Sequence, residues 1–116
     1  MTSYRVHDAG VAKARSMIEA GQYDLTTEWE DGQPSSDDEN DKIERDGHDG
    51  YGEWHLALDT GASDQTKDRY GFPYGDFRRV FRSALIASKQ RASQFDHDDI
   101  ERAADELLDH LDQTTA

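Results

Sequence analysis

The C-terminal stretch 97–112 carries the pattern that most restricts the fold of this chain. Its apolar residues recur at the spacing of one helix face: Ile100, Ala103, Ala104, Leu107, Leu108 and Leu111. Asp96 stands just before the pattern, where an N-cap residue is expected. A helix with one apolar face must bury that face, so another element of the chain has to cover it.

The preceding residues supply a second helical pattern over 77–95. Its predicted apolar face comprises Phe77, Val80, Phe81, Ala84, Leu85, Ser88, Ala92 and Phe95. Few residues separate the two patterns, so we expect an antiparallel helical hairpin. The hairpin would bring the basic residues Arg78, Arg82 and Lys89 near the carboxylates of the last helix.

The N-terminal half predicts one helix and two short strands. A helix over 9–21 is bounded by Asp8, a candidate N-cap, and Gly21, a candidate C-cap. Apolar and polar residues alternate over 23–29 and over 53–58, which favours two paired strands, although 53–58 is also compatible with the start of a helix. We therefore expect a single α+β domain over 1–116, mainly α: an N-terminal helix, a small two-stranded element and the C-terminal hairpin.

The segment 30–50 is acidic and resembles a loop in composition. A short helix from Ser36 through Arg45, with Glu39 completing a capping box, is the alternative to a mobile loop. A calcium-binding loop starting at Asp37 would need glycine sixth and a carboxylate twelfth, but Lys42 and His48 occupy those positions. The five histidines form no HxxxH or HExxH pair, so we expect no metal and no cofactor.

Net charge limits the classes of partner. The chain has 26 acidic and 13 basic residues, a net charge of −13, and no cysteine. A polyanion is a poor general ligand for nucleic acid or anionic membranes, and no apolar run is long enough for a membrane span. We expect a cytoplasmic protein without disulfide or zinc–thiolate chemistry. Asp exceeds Glu and Arg exceeds Lys, which is typical of halophilic adaptation or of high-GC codon usage.

The candidate binding surface lies around an aromatic loop at 70–77. Aromatic residues beside arginine are typical of binding hot spots. The predicted surface comprises Trp54, His55, Tyr70, Phe72, Tyr74, Asp76, Arg78, Arg79 and Arg82. In the alternative interpretation, the aromatic residues build the core and the arginines pair with the acids of the last helix. The Phe72–Pro73 bond is a candidate cis peptide.

His55 is the candidate catalytic residue. A histidine beside a carboxylate, here Asp59 or Asp76, is the arrangement that general acid–base catalysis requires. Because carboxylates are abundant throughout the chain, a structural histidine is the alternative.

The middle of the chain also resembles a known family. The runs W-H-L-A-L at 54–58, T-K-D-R-Y-G-F at 66–72 and Y-G-D-F-R-R-V-F-R-S-A-L-I-A at 74–87 carry the similarity, together with V-A-K-A-R and A-G-Q-Y in the first helix region. These runs are similar to a small bacterial and archaeal family of unknown function. The resemblance implies a single stand-alone domain and assigns no functional residue.

Three functional hypotheses follow from these patterns. The first is a non-catalytic protein-interaction module, monomeric or weakly dimeric, with an unidentified protein partner and no direct binding to nucleic acid or membrane. The second is a DNA mimic that presents the carboxylates of 28–50 and 96–112 to a basic nucleic-acid-binding protein. The third is a small hydrolase or isomerase that uses His55 with Asp59 or Asp76.

Overall fold

The computed structural model describes residues 3–116. In this part of the chain the strands are β1 (Tyr4–Val6), β2 (Tyr23–Asp24), β3 (His55–Asp59), β4 (Tyr70–Pro73) and β5 (Val80–Phe81). The helices are α1 (Asp8–Glu19), α2 (Trp29–Gly32), α3 (Ser36–Gly52), α4 (Arg82–Gln94) and α5 (Asp98–Thr114), and a 3₁₀ turn spans Lys67–Arg69. The prediction of an α+β fold that is mainly α is confirmed.

The C-terminal hairpin formed by α4 and α5 is confirmed. The six apolar residues that predicted α5 are all buried. Between the helices, Asp96 adopts a left-handed conformation with φ of 60°, and the His97 N–H donates to the Ala92 carbonyl at 2.8 Å. The helix α5 begins after His97, so Asp96 belongs to the turn and is not the N-cap.

The helix α4 starts five residues later than the sequence pattern predicts. Asp76 forms a turn in which its Oδ1 accepts the N–H groups of Arg78 and Arg79 at 3.0 and 2.8 Å. Phe77 within that turn has φ of 70°, which a right-handed helix excludes. Val80 and Phe81 then form β5, so their apolar spacing reflects burial in a strand.

The predicted pairing between 23–29 and 53–58 is wrong. The strand β3 pairs antiparallel with β1 and β4, whereas β2 pairs parallel with β5. The strand β2 ends at Asp24 because its Oδ1 accepts the N–H groups of Thr26 and Thr27, which turns the chain away. The residues that follow therefore form a loop rather than a longer strand.

The acidic segment contains a helix, α3. Its N-cap is Ser35, one residue before the predicted cap, and a reciprocal capping box joins Ser35 to Asp38 at 3.1 Å. The helical path is interrupted at Gly47, where φ is 77°, and continues to Gly52. Beyond the predicted end at Arg45, this second part brings Tyr51 into the core.

The core lies between the three-stranded sheet and the helices α1, α4 and α5. Its fully buried side chains include Ile18, Leu56, Leu85, Ile100 and Leu107. The helix α1 lies so close to β3 that a Cβ added at Gly10 would be 1.9 Å from the His55 carbonyl oxygen. Residues 3–116 contain no cis peptide, so the Phe72–Pro73 bond is trans. None of their helices is long and apolar enough to cross a membrane.

Candidate interaction surface

The aromatic residues of the predicted surface belong mainly to the core. Trp54 is 3% exposed and Tyr74 is fully buried. Their rings stack with centroids 5.6 Å apart, and the Tyr74 hydroxyl donates to the Glu53 carbonyl at 2.8 Å. Phe72 is also buried and Tyr70 is half-buried. Trp54, Phe72 and Tyr74 therefore belong to the core, as the alternative interpretation expects.

His55 occupies the core rather than a catalytic dyad. Its Nδ1 lies 3.1 Å from the Tyr51 carbonyl oxygen, and its ring packs against that of Tyr51 at 4.6 Å. Burial lowers the pKa of His55 to about 4, so the ring is neutral near pH 7. The Tyr51 carbonyl can accept a hydrogen bond from Nδ1–H, which makes this contact a structural one.

The two proposed acidic partners of His55 have other roles. Asp59 accepts the N–H of Gly61 at 2.9 Å and Asp76 holds the turn before β5, so each carboxylate orders its own loop. Among residues 3–116, His55 makes no hydrogen bond to a carboxylate. The predicted pairing of His55 with Asp59 or Asp76 is therefore not formed.

The three arginines of the predicted surface have separate environments. Arg79 lies 3.5 Å from Asp24 and 3.6 Å from Asp76, and its guanidinium lies over the Phe81 ring. Arg82 reaches across the hairpin to Asp112. Arg78 is exposed beside a polar cavity next to α3. The arginines therefore do not form one continuous basic stripe.

The outer side of the hairpin forms a groove that the sequence did not indicate. We call it the hairpin groove; it has a volume of about 680 Å³ and Ile86 and Leu108 contribute its apolar lining. Its other lining residues are polar: Arg82, Lys89, Gln90, Ser93, Gln94, Glu101, Asp105, Asp109 and Asp112. Two ion pairs join its walls, Lys89 with Asp105 at 2.7 Å and Arg82 with Asp112 at 2.9 Å.

A second groove joins the first along α4. This side groove, of about 420 Å³, lies between α4 and residues 25–30, which run from the loop after β2 into α2. It shares Arg82, Ile86 and Gln90 with the hairpin groove. Leu25 lines it and is 43% exposed, one of two large apolar side chains that are exposed in the described residues. Trp29 and Ala87 extend its apolar lining.

The loop wall of the side groove is held in place by hydrogen bonds. The Asp24 carboxylate accepts two N–H groups and the Thr27 hydroxyl, at 2.8 to 3.0 Å. The N–H of Thr27 contributes most to holding the pKa of Asp24 below its usual range. Ser83 on α4 donates to the Thr27 carbonyl at 2.8 Å, and the Trp29 ring meets Phe81 edge-on at 5.5 Å. Leu25 therefore lies on a wall whose backbone is held by hydrogen bonds.

The charge of the two grooves is mainly acidic. Six carboxylates line them, from Glu28, Glu30, Glu101, Asp105, Asp109 and Asp112. Only Asp105 and Asp112 of these six take part in ion pairs within residues 3–116. The described residues contain no group of three or more histidine, aspartate or glutamate side chains that could hold a metal ion. The lining of the two grooves is therefore acidic, and four of its six carboxylates take no part in the ion pairs of this part of the chain.

One sequence feature could have indicated these grooves, although no pattern described above predicts them. Ile86 falls outside the predicted apolar face of α4, so its side chain was available for a second contact. Comparison with known proteins adds nothing to this signal, because no protein-family model, curated protein or solved structure matches the chain. The resemblance to a bacterial and archaeal family stays a prediction.

Proposed function

We propose that this protein is a non-catalytic interaction module that binds a protein partner through the joined hairpin and side grooves. The observation that carries the proposal is the exposure of Leu25 on a hydrogen-bonded wall beside Ile86. Exposed apolar side chains that line a concave surface are typical of protein-binding sites. The predicted working surface therefore moves from the buried aromatic loop to the outer side of α4, with Arg82 as the residue common to both.

DNA mimicry is less well supported by the same grooves. A mimic needs a continuous row of carboxylates that remain free to meet a basic protein. Asp105 and Asp112 already interact with Lys89 and Arg82, and both bases line the groove with them. The side groove also contains Leu25 and Trp29, which have no counterpart in a phosphate backbone. An apolar contact flanked by acids favours a protein segment as the ligand.

Site-specific photo-crosslinking tests the proposed function. A photoreactive phenylalanine analogue at Leu25 should yield a discrete adduct with one protein when the variant is irradiated in native cells. The same analogue at Asp41, which is exposed on α3, is the matched control. Adduct formation at residue 25 that Ile86→Ser reduces would support the proposal. Equal adducts at residues 25 and 41, or none at residue 25, would contradict it.

A further inference from the structure

We infer that the joined grooves bind a basic amphipathic helix of about three turns. This inference rests on the proposed function and specifies the chemistry of its partner. The hairpin groove is lined from Arg82 to Gln94 on α4 and from Glu101 to Asp112 on α5. At 1.5 Å per residue, these stretches are about 16 to 20 Å long, which matches a helix of about 11 to 13 residues.

The lining favours a helix over an extended segment. Strand addition requires free backbone N–H and C=O groups at a sheet edge. The hairpin groove is instead bounded by two helices, whose central backbone groups bond within each helix. A third helix can place apolar side chains at positions i, i+3 or i+4, and i+7 between the ridges of α4 and α5. Ile86 and Leu108 would contact these side chains, and Leu25 would contact the flank of the same helix.

The charges indicate that the helix is basic. Six carboxylates face the grooves against two basic side chains, Arg82 and Lys89. Lysine or arginine residues flanking an apolar face would pair with Glu28 and Glu30 on one side and with Asp109 on the other. A second copy of this chain would add the same acidic groove and a net charge of −13, so charge disfavours self-association through this surface.

Lys89 gives the inference a specific consequence. Its ammonium group lies 2.7 Å from the Asp105 carboxylate. Lys89 therefore already neutralises a carboxylate with which an incoming basic helix would pair. Both groups are substantially exposed, so this ion pair is easily exchanged. Removing Lys89 should leave Asp105 free for the partner. A variant that weakens an internal contact should thus strengthen binding.

The probe is a fluorescent 14-residue peptide of lysine and leucine, with leucines at i, i+3, i+4 and i+7, measured by anisotropy. Its control is a peptide of identical composition whose leucines are dispersed around the helix. Lys89→Gln should tighten binding of the amphipathic peptide by about threefold. Arg45→Gln is the matched charge control, because Arg45 pairs with Asp46 on α3 and lies outside the grooves. It should change the affinity by less than about 1.5-fold.

The apolar contact is tested separately with Leu25→Ser and Ile86→Ser. Together they should weaken binding by about fivefold or more, whereas Phe95→Ser, which removes an exposed apolar side chain outside the grooves, should not. Circular dichroism confirms that each variant is folded before it is titrated. Equal binding of the two peptides, or equal effects of Lys89→Gln and Arg45→Gln, would overturn the inference.

The two proposals can fail separately. If the amphipathic peptide does not bind but the adduct at residue 25 forms, the basic-helix inference is wrong and the interaction module stands. If neither the peptide nor the adduct is detected, both proposals are wrong.

Discussion

The guanidinium of Arg82 forms two hydrogen bonds with the carboxylate of Asp112, from Nε to Oδ1 at 2.9 Å and from Nη2 to Oδ2 at 3.2 Å. This ion pair joins the first residue of α4 to the last turns of α5 and bounds one end of the hairpin groove. The hydrogen bonds from the Arg82 guanidinium hold the pKa of Asp112 below its usual range. The same ion pair therefore joins α4 to α5 and sets the charge at one end of the proposed binding surface.

A double-mutant cycle on Arg82 and Asp112 should give a small coupling energy. Both side chains are more than a third exposed, so solvent and salt screen the pair. We expect Arg82→Ala, Asp112→Ala and the double variant to yield a coupling of at most about 1 kcal/mol in urea unfolding. The coupling should decrease in 1 M salt. A coupling of several kcal/mol would contradict this expectation and would show that the fold depends on the ion pair.

Asp24→Ala should destabilise the protein. Because it also loosens the wall of the side groove, it should weaken binding of the lysine–leucine peptide. The carboxylate holds the wall of the side groove through Thr26 and Thr27, and its side chain is only 9% exposed. We expect a loss of about 2 kcal/mol in the free energy of unfolding at pH 7, measured with urea. Asp41→Ala is the matched control, because Asp41 is exposed on α3.

The effect of Asp24→Ala should depend on pH in a defined direction. Because hydrogen bonds lower the pKa of Asp24 in the folded state, its contribution is present above about pH 4, the range of an unperturbed aspartate. The contribution is lost as pH falls through the lower pKa of the folded protein. The stability difference from wild type should therefore shrink below pH 4, and a constant difference down to pH 2 would refute this role.

His55 should make the fold sensitive to mild acid. Its pKa is lowered to about 4 by burial, whereas an unfolded histidine titrates near 6.5. The unfolded chain therefore binds more protons between these values, and the stabilising contribution falls as pH drops from about 6.5 to about 4. We expect this contribution to fall by about 2 to 3 kcal/mol over that range, relative to a folded His55→Gln variant.

Urea unfolding at pH 7 and at pH 4.5 measures this difference. The variant lacks the titrating ring. The pH dependence that comes from all other titratable residues is common to both proteins and cancels in the comparison. Parallel pH dependences for wild type and His55→Gln would contradict the assignment of His55 as a neutral core residue.

Salt should stabilise the folded state. Like-charged carboxylates repel one another in a chain of net charge −13, and the screening length falls to about 3 Å at 1 M salt. We expect the midpoint of thermal unfolding to rise from 0.1 to 1 M KCl. Sucrose at the same water activity is the control for stabilisation that arises because any cosolute is excluded from the protein surface. A midpoint that is unchanged or lower in KCl would contradict the halophilic interpretation of the composition.

The parts of the fold that could be predicted are those whose apolar spacing fits only one kind of secondary structure. The leucines of α5 match a helix face and match no strand, so its identity and burial followed from spacing alone. Phe77, Val80 and Phe81 matched a helix equally well, but the Asp76 turn and pairing with β2 place the last two in a strand. Competition between local spacing and distant pairing cannot be resolved from the residues of one segment.

The exposure of individual side chains was predicted least well, because exposure depends on tertiary packing. Alternation over 53–58 predicts that His55 faces away from the core, but β3 is the central strand and both of its faces are covered near His55. Conversely, Leu25 has an apolar side chain of the kind found in cores, and yet it lies on the surface. Sequence hydrophobicity alone could not distinguish the buried Tyr74 from the exposed Leu25.

Amide chemical shifts during titration with the amphipathic lysine–leucine peptide test the central claim most directly. We expect the largest perturbations within the segments 25–30, 82–94 and 101–112, which contribute the residues that line the joined grooves. The helix α3 carries seven carboxylates and two basic side chains, so it provides an acidic internal control within the same spectra. Perturbations that map to α3, or that spread evenly over the acidic surface, would contradict the assignment of the grooves as the binding surface.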